Sequence, residues 1–375
     1  MNKHAPQGTR IADQTAADLD GRIAAFINQV NPNDAEFRSL ALELFAYQYD
    51  NNAPYQALCD QRGRSPKNVD RWQEVPAVTA ASFGDARLAC FPADRTAFSF
   101  VSSGTSRGGL KPSVHELENA TLYDASLLTH FRRWVLPDCR KIRMLLLSPA
   151  FEEAPRSSLA YMLSRLYTTY GSGGGFFIRN GALDAQAMTA ALRESREPVL
   201  VFGTAFAFVH FLDHCRRKEL RFSLATGSRI LETGGFKGKS RSVRRDELYD
   251  GLSYTFGVPL EFCISEYGMC ELGSQWYDAT LGDVVAGRPS RPELKMGPHW
   301  ARTLVVDPVT AQELPAGATG LLQCFDLTNR GSVAAVLTAD LAVGWENGFH
   351  YVGRFDAAAP KGCSITVDTM LRSHA

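Results

Sequence analysis

Residues 198–235 read PVLVFGTAFAFVHFLDHCRRKELRFSLATGSRILETGG. PVLVFGT (198–204) is a short apolar run and predicts a buried strand. AFAFVHFLDHCRRK (205–218) then carries apolar residues at helical spacing, and SRILETGG (228–235) predicts a second strand ending on glycines. The same alternation extends outward on both sides. RMLLLSP (143–149) predicts a buried strand and SSLAYMLSRLYTTYG (157–171) a helix ending on glycine. SVRRDELYDGLSYTFG (242–257) predicts another helix and LEFCIS (260–265) another strand. Strands and helices alternating at this spacing predict an α/β fold, a mostly parallel sheet with covering helices.

Farther out the character changes. The first hundred residues read as helical, with a strong apolar period in FRSLALELFAYQYDNNAPYQALCDQRG (37–63). FSFVSS (98–103) reads as a strand. Beyond Tyr277, the segments TLVVD, GLLQCFDL, VAAVLT and GFHYVG are joined by turn residues such as Pro315, Gly317 and Asn347-Gly348. They predict a β-rich, mainly antiparallel subdomain. The chain is therefore divided into a helical part (1–100), an α/β nucleotide-binding body (101–280), a β-rich subdomain (281–352) and a short tail (353–375).

Composition narrows the function. Hydrophobic residues make up 45% and charged residues 21%, ample material for a core. Forty basic residues balance forty acidic ones, so no basic excess is available for nucleic acid or an anionic membrane. The polar opening MNKHAPQGTR lacks a signal-peptide core, and no 18 consecutive residues are apolar. The expectation is a cytoplasmic protein without a membrane span. Eight cysteines lie scattered without CxxC spacing, which argues for free thiols rather than zinc ligands or a disulfide framework.

Four segments carry chemical potential. Ser102-Ser103-Gly104-Thr105-Ser106-Arg107-Gly108-Gly109-Leu110-Lys111 follows a strand and combines hydroxyls, glycines and a cation, suited to cradling phosphate. A solvated Ser/Gly loop is its plain alternative. Thr233-Gly234-Gly235-Phe236-Lys237-Gly238-Lys239-Ser240 is one residue short of a kinase-type P-loop, so a tight turn with solvated lysines is preferred. Ile264-Ser265-Glu266-Tyr267-Gly268-Met269-Cys270-Glu271 ends a strand, where open α/β sheets hold ligands. Its carboxylates suit Mg²⁺, a hard cation that takes a few carboxylates plus phosphate oxygens. Thr338-Ala339-Asp340-Leu341 and Tyr351-Val352-Gly353-Arg354-Phe355-Asp356 complete the set. His210 and His214 share a helix face without an HExxH acid and read as packing; Phe202, Phe206 and Phe208 read as a core stripe or an acyl-pocket lining.

In this order, SSGTS, TGG, YGMCE, TADL and GRFD resemble the signatures of adenylate-forming enzymes, which include acyl-CoA synthetases and peptide-synthetase adenylation domains. FAYQYDNNAPYQ (45–56), LETGGFKGKSR with ISEYGMCELGSQWY, and PKGCSITVD (360–368) further resemble the acyl-protein synthetases, the fatty-acid-activating component of bacterial bioluminescence systems. The resemblance implies a large N-terminal domain of that superfamily, with the usual C-terminal domain reduced to a tail. It also implies that Ser102, Ser103, Gly104, Thr105, Ser106, Gly108 and Lys111 meet the ATP phosphates. Gly234, Gly235, Tyr267, Gly268, Met269 and Cys270 would lie around the nucleotide, Asp340 at the ribose and Arg354 at its edge. Glu271 would hold Mg²⁺. Cys363, beside Lys361, would take the acyl group from the adenylate and pass it to a partner reductase. A thiol of pKa about 8.5 gains thiolate near a lysine, which makes this chemistry reasonable.

The chain departs from the superfamily at several points. Ser106 and Arg107 stand where a threonine and a glycine are usual, Lys111 lies one place late, and Cys270 replaces a threonine. Two rivals stay open: a ligase delivering acyl groups to coenzyme A or an acyl-carrier protein, and a non-catalytic nucleotide-binding subunit of a reductase complex. The acid itself is not written in the sequence.

Overall fold

The computed structural model describes residues 7–102, 111–234, 243–346 and 348–355. The chain opens with helices α1 (Gln7–Ile27), α2 (Asp34–Asn51) and α3 (Ala53–Gln61). Asn33 caps α2 and Asn52 caps α3, each accepting a backbone N–H through its side-chain oxygen. Short β1 (Val78–Thr79) and α4 (Ser82–Asp85) lead to a hairpin of β2 (Phe98–Val101) and β3 (Val114–Leu117). Then come α5 (Thr121–Trp134), β4 (Ile142–Leu147), α6 (Ser158–Tyr170), β5 (Gly171–Phe176), the small hairpin β6 (Ile178–Arg179) and β7 (Ala182–Leu183), and α7 (Ala185–Glu194). β8 (Val199–Thr204), α8 (Ala205–Arg217), β9 (Arg229–Thr233), α9 (Arg245–Phe256) and β10 (Cys263–Tyr267) continue the alternation. β11 (Trp276–Asp278), α10 (Thr280–Val285), β12 (Leu294–Met296), β13 (Ala301–Val306), β14 (Thr319–Asp326), β15 (Ala335–Trp345) and β16 (Gly348–Arg354) complete the described chain.

The predicted parallel sheet is present: β5, β4, β8, β9 and β10 run parallel in that order. The antiparallel strands do not form a separate sheet. They continue the same one through β11, β12, β16, β15, β14 and β13, with β1 added parallel to β15. Side chains alternate across the central strands, so each face owns a core. Ile230, Val201 and Cys263 pack beneath α7, α8 and α9, whereas Leu231, Leu200, Phe202 and Ile264 pack beneath α5 and α6. A third core joins α2 and α3 to β13, β14 and β15.

Local readings differ from expectation in a few places. The strand expected over 260–265 begins only at Cys263, because Leu260–Phe262 forms a 3₁₀ turn after Pro259. The GSGGGF run (171–176), read only as a helix stop, is strand β5. At Gly174 a Cβ would overlap the carbonyl of Met144, so this tight parallel pairing requires glycine. Arg229 opens β9 only 1% exposed, and its guanidinium makes paired bonds of 2.7 and 2.8 Å to Asp138. Phe202 and Phe208 are core residues, while Phe206 is exposed and packs edge-on to His210. No helix among the described residues is long and apolar enough to cross a membrane.

Candidate active site at the strand ends

The site grows from the carboxyl ends of β9 and β10. Glu266 lies opposite Thr233 in register, which places Gly234 beside Tyr267 where both chains leave the sheet. Gly234 turns out of β9 with φ of 64°, and no other described residue comes within 4 Å of where its Cβ would be. The Tyr267 hydroxyl donates to Asp340 Oδ2 at 2.8 Å. Burial, and then the neighbouring Asp340, push this phenol well above its ordinary pKa, so it remains a donor at neutral pH. Asp340 comes from β15 and sits directly opposite Arg354 on β16. Three separate elements therefore deliver Tyr267, Asp340 and Arg354 to one place, and the exposed Tyr351 ring stands 6.1 Å from Tyr267.

The chain then enters a tightly held loop. A Cβ at Gly268 would overlap Glu266 Oε1, so a larger residue here would require the Glu266 carboxylate to move. Met269 packs against the third core, and Cys270 and Glu271 are buried. The loop is held through its backbone. His115 Nδ1 bonds the Cys270 carbonyl at 2.9 Å, and Asn329 donates to the Glu271 carbonyl at 2.8 Å. Asn329 also accepts from Gly273 N at 3.0 Å, and Asp326 takes both the N–H and hydroxyl of Ser274 at 2.8 Å. Burial lowers His115 to about 4, so the ring is neutral. Because His115 belongs to β3, this loop touches the hairpin that carries the Ser/Gly segment.

At the base of that hairpin, Ser102 N donates to Ser113 O, and Ser113 N returns a bond to Ser102 Oγ at 2.9 Å. The Ser102 hydroxyl thus clamps the loop's base, and Lys111 is exposed on its exit. Ser103, Gly104, Thr105, Ser106 and Gly108 lie outside the described residues, as do Gly235, Lys361 and Cys363.

Beneath β9 and β10 lies a charged cluster that sequence reading missed. Lys295 Nζ bonds Asp278 Oδ1 at 2.8 Å and the Ser265 carbonyl at 3.1 Å. Asp278 also accepts from Ser265 N and Arg245, and Tyr249 donates to Glu232 at 3.4 Å. Burial pushes Glu232 up to about 7, with Lys295 partly offsetting it. The residues it involves are scattered singly along the chain. Nothing in their spacing announces them, nor His115 or Asn329; only the Asp326-x-Thr328 pattern of a side-chain turn is legible.

The acyl-protein synthetase (LuxE) family model matches residues 27–371. The chain belongs to this family. As an acyl-protein synthetase it is an adenylate-forming ligase, which activates an acid as its acyl-adenylate. A long-chain-fatty-acid–luciferin-component ligase of Vibrio harveyi is 22% identical over 338 residues, covering 86% of this chain and 85% of the relative. Among solved structures, a 2-hydroxyisobutyryl-CoA ligase in complex with its acyl-AMP aligns with TM-score 0.64 and 14% identity, over 90% of this chain and 74% of that one. ATP-bound MatB of Rhodopseudomonas palustris aligns with TM-score 0.51 and 16% identity, over 70% and 49%. Both share the fold.

Proposed function

We propose that this acyl-protein synthetase uses ATP to convert a carboxylic acid to acyl-AMP and then transfers the acyl group to a thiol. The observation that carries the site assignment is the convergence of Gly234, Tyr267, Asp340 and Arg354 at the strand ends, against the hairpin of the Ser/Gly loop. A carboxylate oxygen attacks the α-phosphorus, a P–O bond forms, and the bond to pyrophosphate breaks. In this reading Asp340 takes the ribose hydroxyls, and Tyr267 fixes Asp340 while its ring bounds the base. Ser103–Gly108 and Lys111 donate to phosphate oxygens, where preorganised donors lower the barrier between two anions.

Glu271 fits a single-carboxylate Mg²⁺ site: its backbone is fixed by Asn329, and a hard cation draws its remaining ligands from phosphate and water. Mg²⁺ there would neutralise charge on the phosphoryl oxygens. In the second step the Cys363 thiolate attacks the acyl carbonyl, a thioester forms, and AMP leaves. An acyl reductase or carrier protein then receives the group, in a reducing cytoplasmic setting that keeps the thiol available.

Acid-dependent pyrophosphate exchange tests the first step. A broad acid panel giving none would sink the reading. Cys363→Ser tests the second: exchange should persist while a hydroxylamine-labile acyl adduct disappears. An adduct mapped to another cysteine would overturn the tail's role. Full turnover with coenzyme A alone would favour a ligase of that type instead.

A further inference from the structure

The opposite face of the same strand end holds a polar pair that the nucleotide reading does not use. Glu266 and Tyr277 are partners across the β10–β11 ladder, and they are 5% and 0% exposed. They project into the core beneath α5 and α6, among Phe100, Tyr123 and Tyr161. Thr233, the residue before Gly234, donates to Glu266 Oε2. The Tyr277 ring is held by His130 at 5.4 Å and Phe131 at 6.1 Å, yet its hydroxyl has no hydrogen-bond partner among the described residues. A buried hydroxyl left unpaired is destabilising, and phenylalanine would fill the same volume without that cost. Glu266 is close enough to push the Tyr277 and Tyr123 phenols further up, after burial itself.

Side chains alternate along β10, so Glu266 faces away from the Tyr267–Asp340 side. In the proposed reading the nucleotide occupies the Tyr267–Asp340 side, which leaves the Glu266 side of the strand end for the acid. We propose that Glu266 and Tyr277 form a polar subsite for the acid, selecting acids with a hydroxyl or amino group near the carboxylate over plain alkyl acids. Glu266 accepts from that group and Tyr277 supplies its unused hydroxyl. This rests on the acid-activating reading.

The test is pyrophosphate exchange by the full chain with hexanoic acid and its hydroxy and amino analogues. A site built to bond a substrate's polar group rejects analogues lacking it, so a substituted acid should exceed hexanoate in kcat/KM by about tenfold or more. Tyr277→Phe, which conserves packing, should collapse that ratio to roughly threefold or less, mainly through KM. Glu266→Gln should weaken the amino acids more than the hydroxy acids. Hexanoate activated as well as every analogue, or a ratio untouched by Tyr277→Phe, overturns the subsite and leaves acid activation standing. No exchange with any acid overturns both.

Discussion

Tyr267 and Asp340 are joined by one hydrogen bond across 73 residues of chain, and that bond ties the end of a parallel strand to an antiparallel one. Tyr267→Phe keeps the ring but removes the donor. A neutral donor to a carboxylate contributes about 1–2 kcal/mol, so KM for ATP in the exchange assay should rise roughly five- to thirtyfold. An unchanged KM would place the nucleotide elsewhere. Gly268 is a milder packing constraint: Gly268→Ala pushes a methyl against Glu266 Oε1, so the carboxylate must shift on Thr233, which should cost about 1 kcal/mol in urea denaturation. The motif exposes both residues in the sequence but not their reasons. Tyr267 is legible as a motif ring proposed for the base, whereas its bond to Asp340 depends on a fold that brings a β15 side chain within reach of β10 across the intervening strands β16, β12 and β11.

At the scale of elements, the loop after β10 owes its shape to groups from other parts of the chain. Asn329 serves the Glu271 carbonyl, the Val333 carbonyl and Gly273 N, and is 1% exposed. Gln48 in turn holds the Asn329 carbonyl and Ala334 N, which gives the FAYQYDNNAPYQ segment of α2 and α3 a physical role. Asn329→Ala leaves several buried backbone groups unpaired at about 1–3 kcal/mol each, so stability should fall by at least roughly 2 kcal/mol. Adenylation should drop with it, as Glu271 loses its anchor; full stability would mean that the loop does not depend on this side chain. The parallel strands are legible because apolar runs of strand length alternate with amphipathic helices. β5 is not, because its glycines carry no side-chain pattern. α5 and α7 are hard to read because THFRRW and AALRE interleave charge with apolar residues. The polar staples escape because isolated Asn, His and Gln residues show no period.

Across the whole molecule, buried titratable groups set opposing responses to pH. His115 and His130 are held neutral, lowered to about 4 and about 3 chiefly by burial. The unfolded chain takes up protons at these positions near pH ~6.5, so both histidines destabilise the fold as pH falls below that value. Glu232 acts with the opposite sign. Its folded value of about 7 lies above the unfolded ~4.3, so the native state holds the extra proton between them. Its contribution is complete below the unfolded value and is lost as pH rises through about 7. Between ~4.3 and ~6.5 the two histidines outweigh the one carboxylate and stability rises; above ~6.5 Glu232 alone of these three groups still titrates, and its share of the stability falls. The wild-type protein should therefore be most stable near pH ~6.5, judged on these groups. Glu232→Gln keeps an acceptor for Tyr249 but removes the falling limb, so its stability should climb and then level off. Relative to wild type, the variant should gain roughly 3 kcal/mol between pH 4 and 8, because a tenfold change in proton affinity is worth about 1.4 kcal/mol. Urea midpoints across that range measure the difference directly. Parallel curves for the two proteins would show that Lys295 and Arg245 keep Glu232 ionised throughout, and that the cluster beneath the strand ends is a fully charged network.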